Sequence, residues 1–406
     1  MEAQAYRGTC LLNVAAHYDV VLISGSEPTW EKAFLLDYEV ADPADQLALT
    51  EAGRALADRH ALAGVMTWTE WHLVPVARLA RGLGLPTTAP EVLQGCRNKH
   101  TSRTLFARHG VPSAASVSVR TEHEAAAAAR RIGFPVVLKP AAHAASMGVV
   151  RVDAADELPG AYAVSANTAG HGVESTQVLV EEYLDGPEVS VECVTYQGQT
   201  TVVAVTRKTV GCAPYFEELA HLVDADDPFR ATVAPAAVAA LDALGVTDGV
   251  SHVELRLVHG RPRLIEVNAR IAGDMISHLV HLATGVDLAR AAADIACGRT
   301  PDLTPTRHQA AVIRFIYPAY SGILTARRVR EPVGGVERVR FQRQAGDQLV
   351  LPQDGGDLFT ARIGYLITTG PTAAIAQARA QEAYRALDVQ VTPVAQTVPA
   401  SQEDTA

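Results

Sequence analysis

Two runs near the middle of the chain, His252-Val253-Glu254-Leu255-Arg256-Leu257 and Leu264-Ile265-Glu266-Val267-Asn268-Ala269-Arg270, alternate polar and apolar residues with period two. That period belongs to strands with one packed face and one polar face, and the intervening His259-Gly260-Arg261 reads as a hairpin loop. A three-residue loop pairs residue 258 with 262, which sets Glu254 opposite Glu266 and His252 opposite Asn268 on one face. Carboxylates directly opposite one another repel. A divalent cation turns that repulsion into binding, because two Glu and an Asn carbonyl are hard oxygen donors suited to magnesium that also holds phosphates. An amphipathic hairpin with its charged face in water satisfies the same pattern, so the rest of the chain must decide.

The chain has 406 residues, enough for two or three packed units at roughly 150 residues each. Its hydrophobic content of 48% and charged content of 20% exclude collagen, a disulfide mini-scaffold and wholesale disorder. No run approaches the ~18 consecutive apolar residues of a membrane helix, and no basic segment followed by an apolar one opens the chain. The expectation is a cytoplasmic protein without a membrane partner. A net charge of -10 argues against a nucleic acid partner and for small molecules. Cys10, Cys96, Cys193, Cys212 and Cys297 are odd in number and form no C-x-x-C, so they read as reduced thiols rather than a disulfide frame or zinc site. Of the 35 basic residues only Lys32, Lys99, Lys139 and Lys208 are lysine. Each is a candidate for a place where a compact point charge serves better than a guanidinium fork, although Lys32, in a loop-like stretch, reads as a surface residue.

Residues 1–95 alternate apolar runs, Leu11 to Val14, Val20 to Ile23 and Ala63 to Thr67, with amphipathic stretches from Ala44 to Arg59 and Glu70 to Leu83. This predicts a small parallel sheet covered by helices. No G-x-G-x-x-G follows its first strand, so no dinucleotide cofactor is expected. A helix over Asn98 to His109, stopped by Gly110 and Pro112, restarts the pattern, and strands follow at Ser116 to Val119 and Phe134 to Lys139 around an Ala-rich helix. Three β-rich runs, Gln177 to Tyr183, Glu188 to Tyr196 and Thr200 to Arg207, lead through a helix at Ala231 to Leu244 to the acidic hairpin and then to helices from Gly273 and Val286. Residues 300–391 look like a separate α+β unit, and 392–406 read as a disordered tail. No internal repeat of 20 to 50 residues is present.

Two further segments carry chemistry. Gly133-Phe134-Pro135-Val136-Val137-Leu138-Lys139-Pro140 is a buried strand delivering a lysine, followed by Ala141-Ala142-His143-Ala144-Ala145-Ser146-Met147-Gly148-Val149, small residues whose backbone N–H groups can approach an anion. In Val180-Glu181-Glu182-Tyr183-Leu184-Asp185-Gly186-Pro187-Glu188 a strand runs into a turn and a second strand opens on an acid. Backbone groups at such a crossing can pair with an adenine edge, and Glu188 can accept from ribose hydroxyls; a plain β-hairpin is the alternative.

In this order the segments resemble the ATP-grasp superfamily, over about residues 60 to 390. The resemblance implies an α/β and α+β fold: an N-terminal parallel-sheet domain (1–95), a small nucleotide-clamping subdomain with the phosphate loop (96–180), a central subdomain with the metal site (181–299) and a C-terminal α+β unit (300–391). It implies Lys99 and Lys139 as nucleotide-binding lysines, and residues 143–149 as the phosphate-covering loop, with His143, Ser146, Met147 and Gly148 at the phosphates and Ser146 also a catalytic candidate. Glu181, Glu182, Tyr183 and Leu184 become the adenine hinge, Glu188 the ribose acid, and Glu254, Glu266 and Asn268 the ligands of magnesium, with manganese as a substitute. Arg270 looks like the arginine that stabilises a transferring phosphoryl group. The loop departs from many relatives in being Ala-rich, with Gly148 its one glycine.

Within the superfamily, the stretch Glu266 to Ile276, Ile313-Arg314-Phe315 and Arg362-Ile363-Gly364-Tyr365 look like carboxylate–amine ligases that join amino acids into dipeptides or amide-linked natural products. Glu218-Leu219-Ala220-His221 looks similar to a segment facing the acceptor. On that resemblance ATP activates a carboxylate as an acyl phosphate, an amine displaces phosphate, and amino-acid-like molecules are the substrates. His221 is the candidate proton acceptor because an imidazole titrates near neutral pH, or else a structurally bonded residue; Asp274 is a candidate partner for a substrate ammonium, or a helix residue. A homodimer is compatible with this reading. Alternatives are a carboxylase or purine-pathway-type ligase on the same nucleotide site, an ATP-binding sensor, and a ligase that loads an amino acid onto a carrier protein.

Overall fold

The structure, a computed structural model, describes residues 4–171 and 175–393. Of the tail expected to be disordered, residues 394–406 lie outside the described residues, and Thr392 closes a strand.

Leu11 to Val14 belong to the helix Gln4–Ala15, whose buried Ala5, Cys10, Leu11 and Val14 recur at helical rather than alternating spacing. Strands β1 (Val21–Ser24) and β2 (Asp37–Val40) pair in parallel, and the helix Gln46–Arg59 follows, its first turn capped by the Asp45 carboxylate. Ala63 to Thr67, expected as a third strand, form none. The segment spends its apolar side chains elsewhere, with Met66 and Trp68 packed against the main core.

Four strands, β3 (Ser116–Val119), β4 (Val136–Pro140), β5 (Val150–Val152) and β6 (Val178–Glu182), make an antiparallel sheet in the order β3-β6-β4-β5. The helices Glu122–Ile132 and Leu158–Gly170 contribute Ala125, Ala128, Ala129 and Ala161 to a core with Val136, Leu138 and Val180. The remaining strands are β7 (Glu188–Tyr196), β8 (Gln199–Gly211), β9 (Glu217–Asp224), β10 (Gly249–Val258), β11 (Arg261–Asn268), β12 (Ala310–Ile316), β13 (Gly322–Val329), β14 (Val336–Phe341), β15 (Gln348–Leu349), β16 (Gly364–Gly370) and β17 (Leu387–Thr392). Eight of them form one antiparallel sheet in the order β11-β10-β7-β8-β9-β12-β16-β14, and β15-β13-β17 form a small one. Strands of residues 300–391 continue the central sheet: β12 pairs with β9 through Ala310 to Arg314 and carries β16 and β14 with it. Nothing local in the sequence announces such a long-range pairing.

The two faces of the large sheet differ in what covers them. Val253, Leu255 and Leu257 of β10, with Val189, Val191 and Cys193 of β7, pack under the helix Arg230–Leu244. On the opposite face Val250 and Val194 lie in the core beneath the helices Ile276–Thr284 and Leu288–Ala296. Farther along β10 that face turns to His252, Glu254 and Arg256, which line a cleft of about 1710 Å³. Period two thus sets which side each residue takes, and the reach of the covering helices sets where apolar gives way to charged.

The acidic hairpin reaches its expected pairing by a different route. His252 faces Asn268 and Glu254 faces Glu266, but Val258 pairs with Arg261 across a two-residue turn in which His259 (φ 49) and Gly260 (φ 75) are both left-handed. A bulge at Ile265, where the register shifts between Glu254 and Leu255, takes up the difference.

At Gly186, between β6 and β7, the backbone sits at φ +151 and an added Cβ would lie 2.2 Å from the Leu257 carbonyl oxygen. Gly186→Ala is expected to destabilise the fold by about 1–3 kcal/mol, read as a lower denaturant midpoint. An unchanged midpoint would mean that β10 yields there freely.

Candidate active site

Each cleft residue is aimed by a local feature of the chain. Asn98 caps the helix Lys99–His109, accepting from the N–H groups of His100 and Thr101, and so places Lys99 at its first turn. The Lys99 backbone N–H donates to the Ala141 carbonyl at 2.9 Å. Its ammonium donates to the His143 carbonyl at 2.6 Å and lies 3.0 Å from Glu266 Oε1. Lys99 therefore joins the small-residue loop to the acidic hairpin. Within that loop Ala145 (φ 59) and Ser146 (φ 53) are left-handed, the Gly148 carbonyl accepts from Ser165 at 2.7 Å, and the His143 ring meets Trp71 edge-on at 4.9 Å. His143, Ser146 and Met147 line the cleft.

Lys139, at the end of β4, reaches Glu181 Oε2 at 2.6 Å, and Arg103 grips the same carboxylate through Nε at 2.9 Å and Nη2 at 3.0 Å. Glu181 is buried, which raises a carboxyl, but Arg103 and Lys139 outweigh that and hold it down at about 2. Its carboxylate anchors two cations. Glu182 pairs with Arg263 at 2.9 Å, and its N–H donates to Ala115. Tyr183 stacks beneath Arg151 at 4.2 Å and lies near Phe216, and the Leu184 carbonyl accepts from Arg256 at 3.0 Å. Glu188 lines the cleft and binds Arg256 through Nη2 at 2.9 Å.

The hairpin floor has a cation for each acid. Lys99 faces Glu266, and Lys208 of β8 lies 3.2 Å from Glu254 Oε1 and 2.7 Å from Glu218 Oε1. Burial opposes the charge on Lys208, yet Glu218, Glu254 and Glu188 hold its pKa well above the ordinary value. Three of the four lysines thus lie in one cleft. Their scarcity was the signal for Lys208, but its place across the sheet from Glu254 was not readable. His252 sits between Glu254 and Glu192; burial works against its charge, but Glu192 leads in raising it to about 9. Two carboxylates and an amide oxygen fit a hard divalent cation by donor chemistry, and Asn268 stands on the same face.

A second cluster lies deeper. Asp274 (φ 51) precedes the helix Ile276–Thr284 rather than lying within it, and Arg362 binds it bidentately at 2.7 and 3.2 Å. Arg362 in turn stacks on Phe315 at 3.6 Å and donates to Tyr317 and Tyr6. His221 is fully buried beneath these groups, its Nε2 3.3 Å from Glu218 and 3.5 Å from Asp274, and it does not line the cleft. Burial alone would discharge it, but the Glu218 and Asp274 carboxylates raise its pKa. His221 therefore stands behind Glu218 and Asp274 rather than at the cleft surface. Among the described residues Glu218, His221 and Asp274 also lie close enough together to share one ion. Arg270 is held by Glu70 at 2.7 Å and by its own neighbour, the Ile271 carbonyl, at 3.0 Å.

Residues 132–278 match the ATP-grasp domain family and residues 314–392 match L-amino acid ligase C-terminal domain 2. The chain is 28% identical to the alanine–anticapsin ligase of Bacillus subtilis over 270 residues, 61% of this chain and 57% of that protein. It is 21% identical to the L-arginine-specific L-amino acid ligase of Bacillus subtilis over 289 residues, 70% of each. It therefore spans a little over half the length of the first of these. In fold it resembles the L-amino acid ligase from Bacillus licheniformis with a TM-score of 0.80 at 22% identity, covering 96% of this chain and 97% of that one. The biotin carboxylase of Campylobacter jejuni follows at a TM-score of 0.70 and 16% identity, over 95% and 90% of the two chains. The chain carries an ATP-grasp domain. More narrowly, it also carries the C-terminal domain of the L-amino acid ligases. Among the described residues no helix is long and apolar enough to cross a membrane.

Glu181→Gln leaves Arg103 and Lys139 buried without their counter-charge and is expected to cost about 3 kcal/mol or more at pH 7. The folded-state pKa lies below the ordinary 4.5, so the wild-type margin is complete above that pH, shrinks below it and is gone once the pH passes about 2. Denaturant unfolding of both proteins across that range checks it, and equal stability at pH 7 would contradict it.

Proposed function

We propose that this chain activates the carboxylate of an amino acid with ATP and joins it to an amine, releasing ADP and phosphate. The observation that carries the reading is the pairing of Glu254 with Glu266 in a cleft that also gathers Lys99, Lys139 and Lys208, next to a separate acid and arginine cluster. The first group suits a nucleotide's phosphates, the second a zwitterion. The match to an L-amino acid ligase domain and the names of the relatives support an amino acid as substrate.

In this reading Lys99 and Lys139 hold the phosphates, and His143, Ser146, Met147 and Gly148 cover them. The segment Glu181 to Leu184 borders the adenine, and Glu188 faces the ribose. Glu254, Glu266 and Asn268 hold magnesium, with manganese as substitute. The metal supplies neutralisation of charge that collects on the transferring phosphoryl group. A carboxylate oxygen attacks the γ-phosphorus and ADP leaves; the amine then attacks the acyl carbon and phosphate departs, with one proton lost. Arg270, fixed by Glu70, offers its guanidinium to the pentavalent centre. Lys208 and Glu218 face the join between phosphoryl group and substrate, and Asp274, fixed by Arg362, lies on the substrate side. The catalysis asked of these groups is positioning and charge neutralisation.

A matrix of amino-acid pairs with ATP and magnesium, read by nucleotide chromatography and product mass, tests the reading. ADP with an amide product is expected for at least one pair. AMP as the main product would contradict it, and ADP without any amide would favour carrier loading or sensing. In the same assay Glu266→Gln is expected to lower turnover by ~10²-fold or more while ADP affinity changes by less than about tenfold. Near-normal turnover would remove Glu266 from the metal site.

A further inference from the structure

Glu192 has no place in the reaction so far derived. It is a carboxylate with no exposed surface in the middle of β7, and it does not line the cleft. Burying such a group is strongly unfavourable unless it is paired and fully hydrogen-bonded. Here it is. Ser190 Oγ donates to Oε1 at 2.8 Å, Thr206 Oγ1 donates to it at 3.0 Å, and His252 Nδ1 lies 3.0 Å from both carboxylate oxygens. The arrangement follows from register: Glu192 is the cross-strand partner of His252, and Ser190 is the partner of Thr206.

The other ring nitrogen of His252 lies 3.0 Å from Glu254 Oε1. With a carboxylate oxygen at each nitrogen, both carry hydrogen and both donate. Lys208 also approaches Oε1 of Glu254, at 3.2 Å, and among the described residues no donor contacts Oε2. One oxygen of Glu254 is therefore pinned by the protein.

We propose that Glu192 and His252 are a positioning pair that fixes Glu254, so that its second oxygen is presented to the divalent cation. This rests on the reading of Glu254 as a metal ligand. Glu192 sets the imidazole, the imidazole sets one carboxylate oxygen, and the ligand no longer has to lose side-chain freedom when the metal arrives. Groups in this outer position commonly contribute 10- to 100-fold in metal affinity.

The test uses the full chain with Glu192→Gln, His252→Gln and Glu254→Gln. Manganese binding in the presence of ADP is titrated by the paramagnetic resonance of the free ion, and ADP binding is measured separately with chelator present. Both positioning variants are expected to bind manganese about 10- to 100-fold more weakly, to keep ADP affinity within about twofold without metal, and to regain turnover as magnesium is raised. Loss of ADP binding in parallel, or no recovery with magnesium, would mean a merely structural role and overturn the proposal. Wild-type manganese affinity in both variants, with Glu254→Gln weakened, would overturn the pair while leaving the metal site standing. Wild-type affinity in Glu254→Gln itself would overturn the metal assignment and the pair with it.

Discussion

Glu254 and Glu266 are held face to face across a hairpin, and the surrounding cleft is organised around their charge. Left alone, two such carboxylates would push the strands apart. Lys99 reaches one from a capped helix, and Lys208 reaches the other from a strand two places away in the sheet. His252 steadies the second from beneath. From Lys208 the polar contacts continue through Glu218 and His221 to Asp274 and Arg362. One continuous polar face therefore connects the proposed phosphate end of the cleft to the proposed substrate end, on a sheet whose opposite face is packed with Val and Leu under a helix. Its members lie on adjacent strands, so their spacing is set by backbone pairing rather than by flexible loops.

Local patterns of this site were legible in the sequence, and its long-range parts were not. The facing acids follow from period-two alternation on either side of a short loop. Their register emerged even though the loop is one residue shorter than the spacing suggested, because the bulge at Ile265 adds the residue that the turn gives up. Lys139 announces itself as a charge ending an apolar strand, and Lys99 as a scarce lysine near the start of an expected helix, where the structure makes Asn98 the cap. Lys208 stood out only by being one of four lysines. Glu192, Arg256 and Arg362 matter through residues 60, 68 and 88 positions away in the chain, and no local period encodes those meetings. One misreading has the same origin: Leu11 to Val14 are apolar enough for a strand but are buried at helical spacing. The pairing of β12 with β9, which ties residues 300–391 to the central sheet, is likewise encoded by no local pattern.

The fold itself is shared with proteins of different activity, as the likeness to biotin carboxylase illustrates. Selection among those activities has to come from the substrate end of the cleft. There a bidentate arginine backed by two tyrosines meets Asp274, which with Glu218 flanks a buried imidazole, and Phe315 and Arg362 of this cluster fall within the match to the L-amino acid ligase C-terminal domain. Asp274 and Met275 are consecutive left-handed residues, a conformation that costs about 1 kcal/mol or more each and is retained where the surroundings demand it. At Asp274 the side chain is held in that conformation by the Arg362 clamp.

The central claim is that a carboxylate oxygen of one substrate attacks the γ-phosphorus, so that the amine displaces phosphate from an acyl phosphate. A competent amino-acid substrate whose carboxylate carries heavy oxygen tests this directly, through the mass of the phosphate released on turnover with an amine. Transfer of one heavy oxygen per amide bond into phosphate is the predicted result. Phosphate free of the label, with amide still formed, would contradict the account.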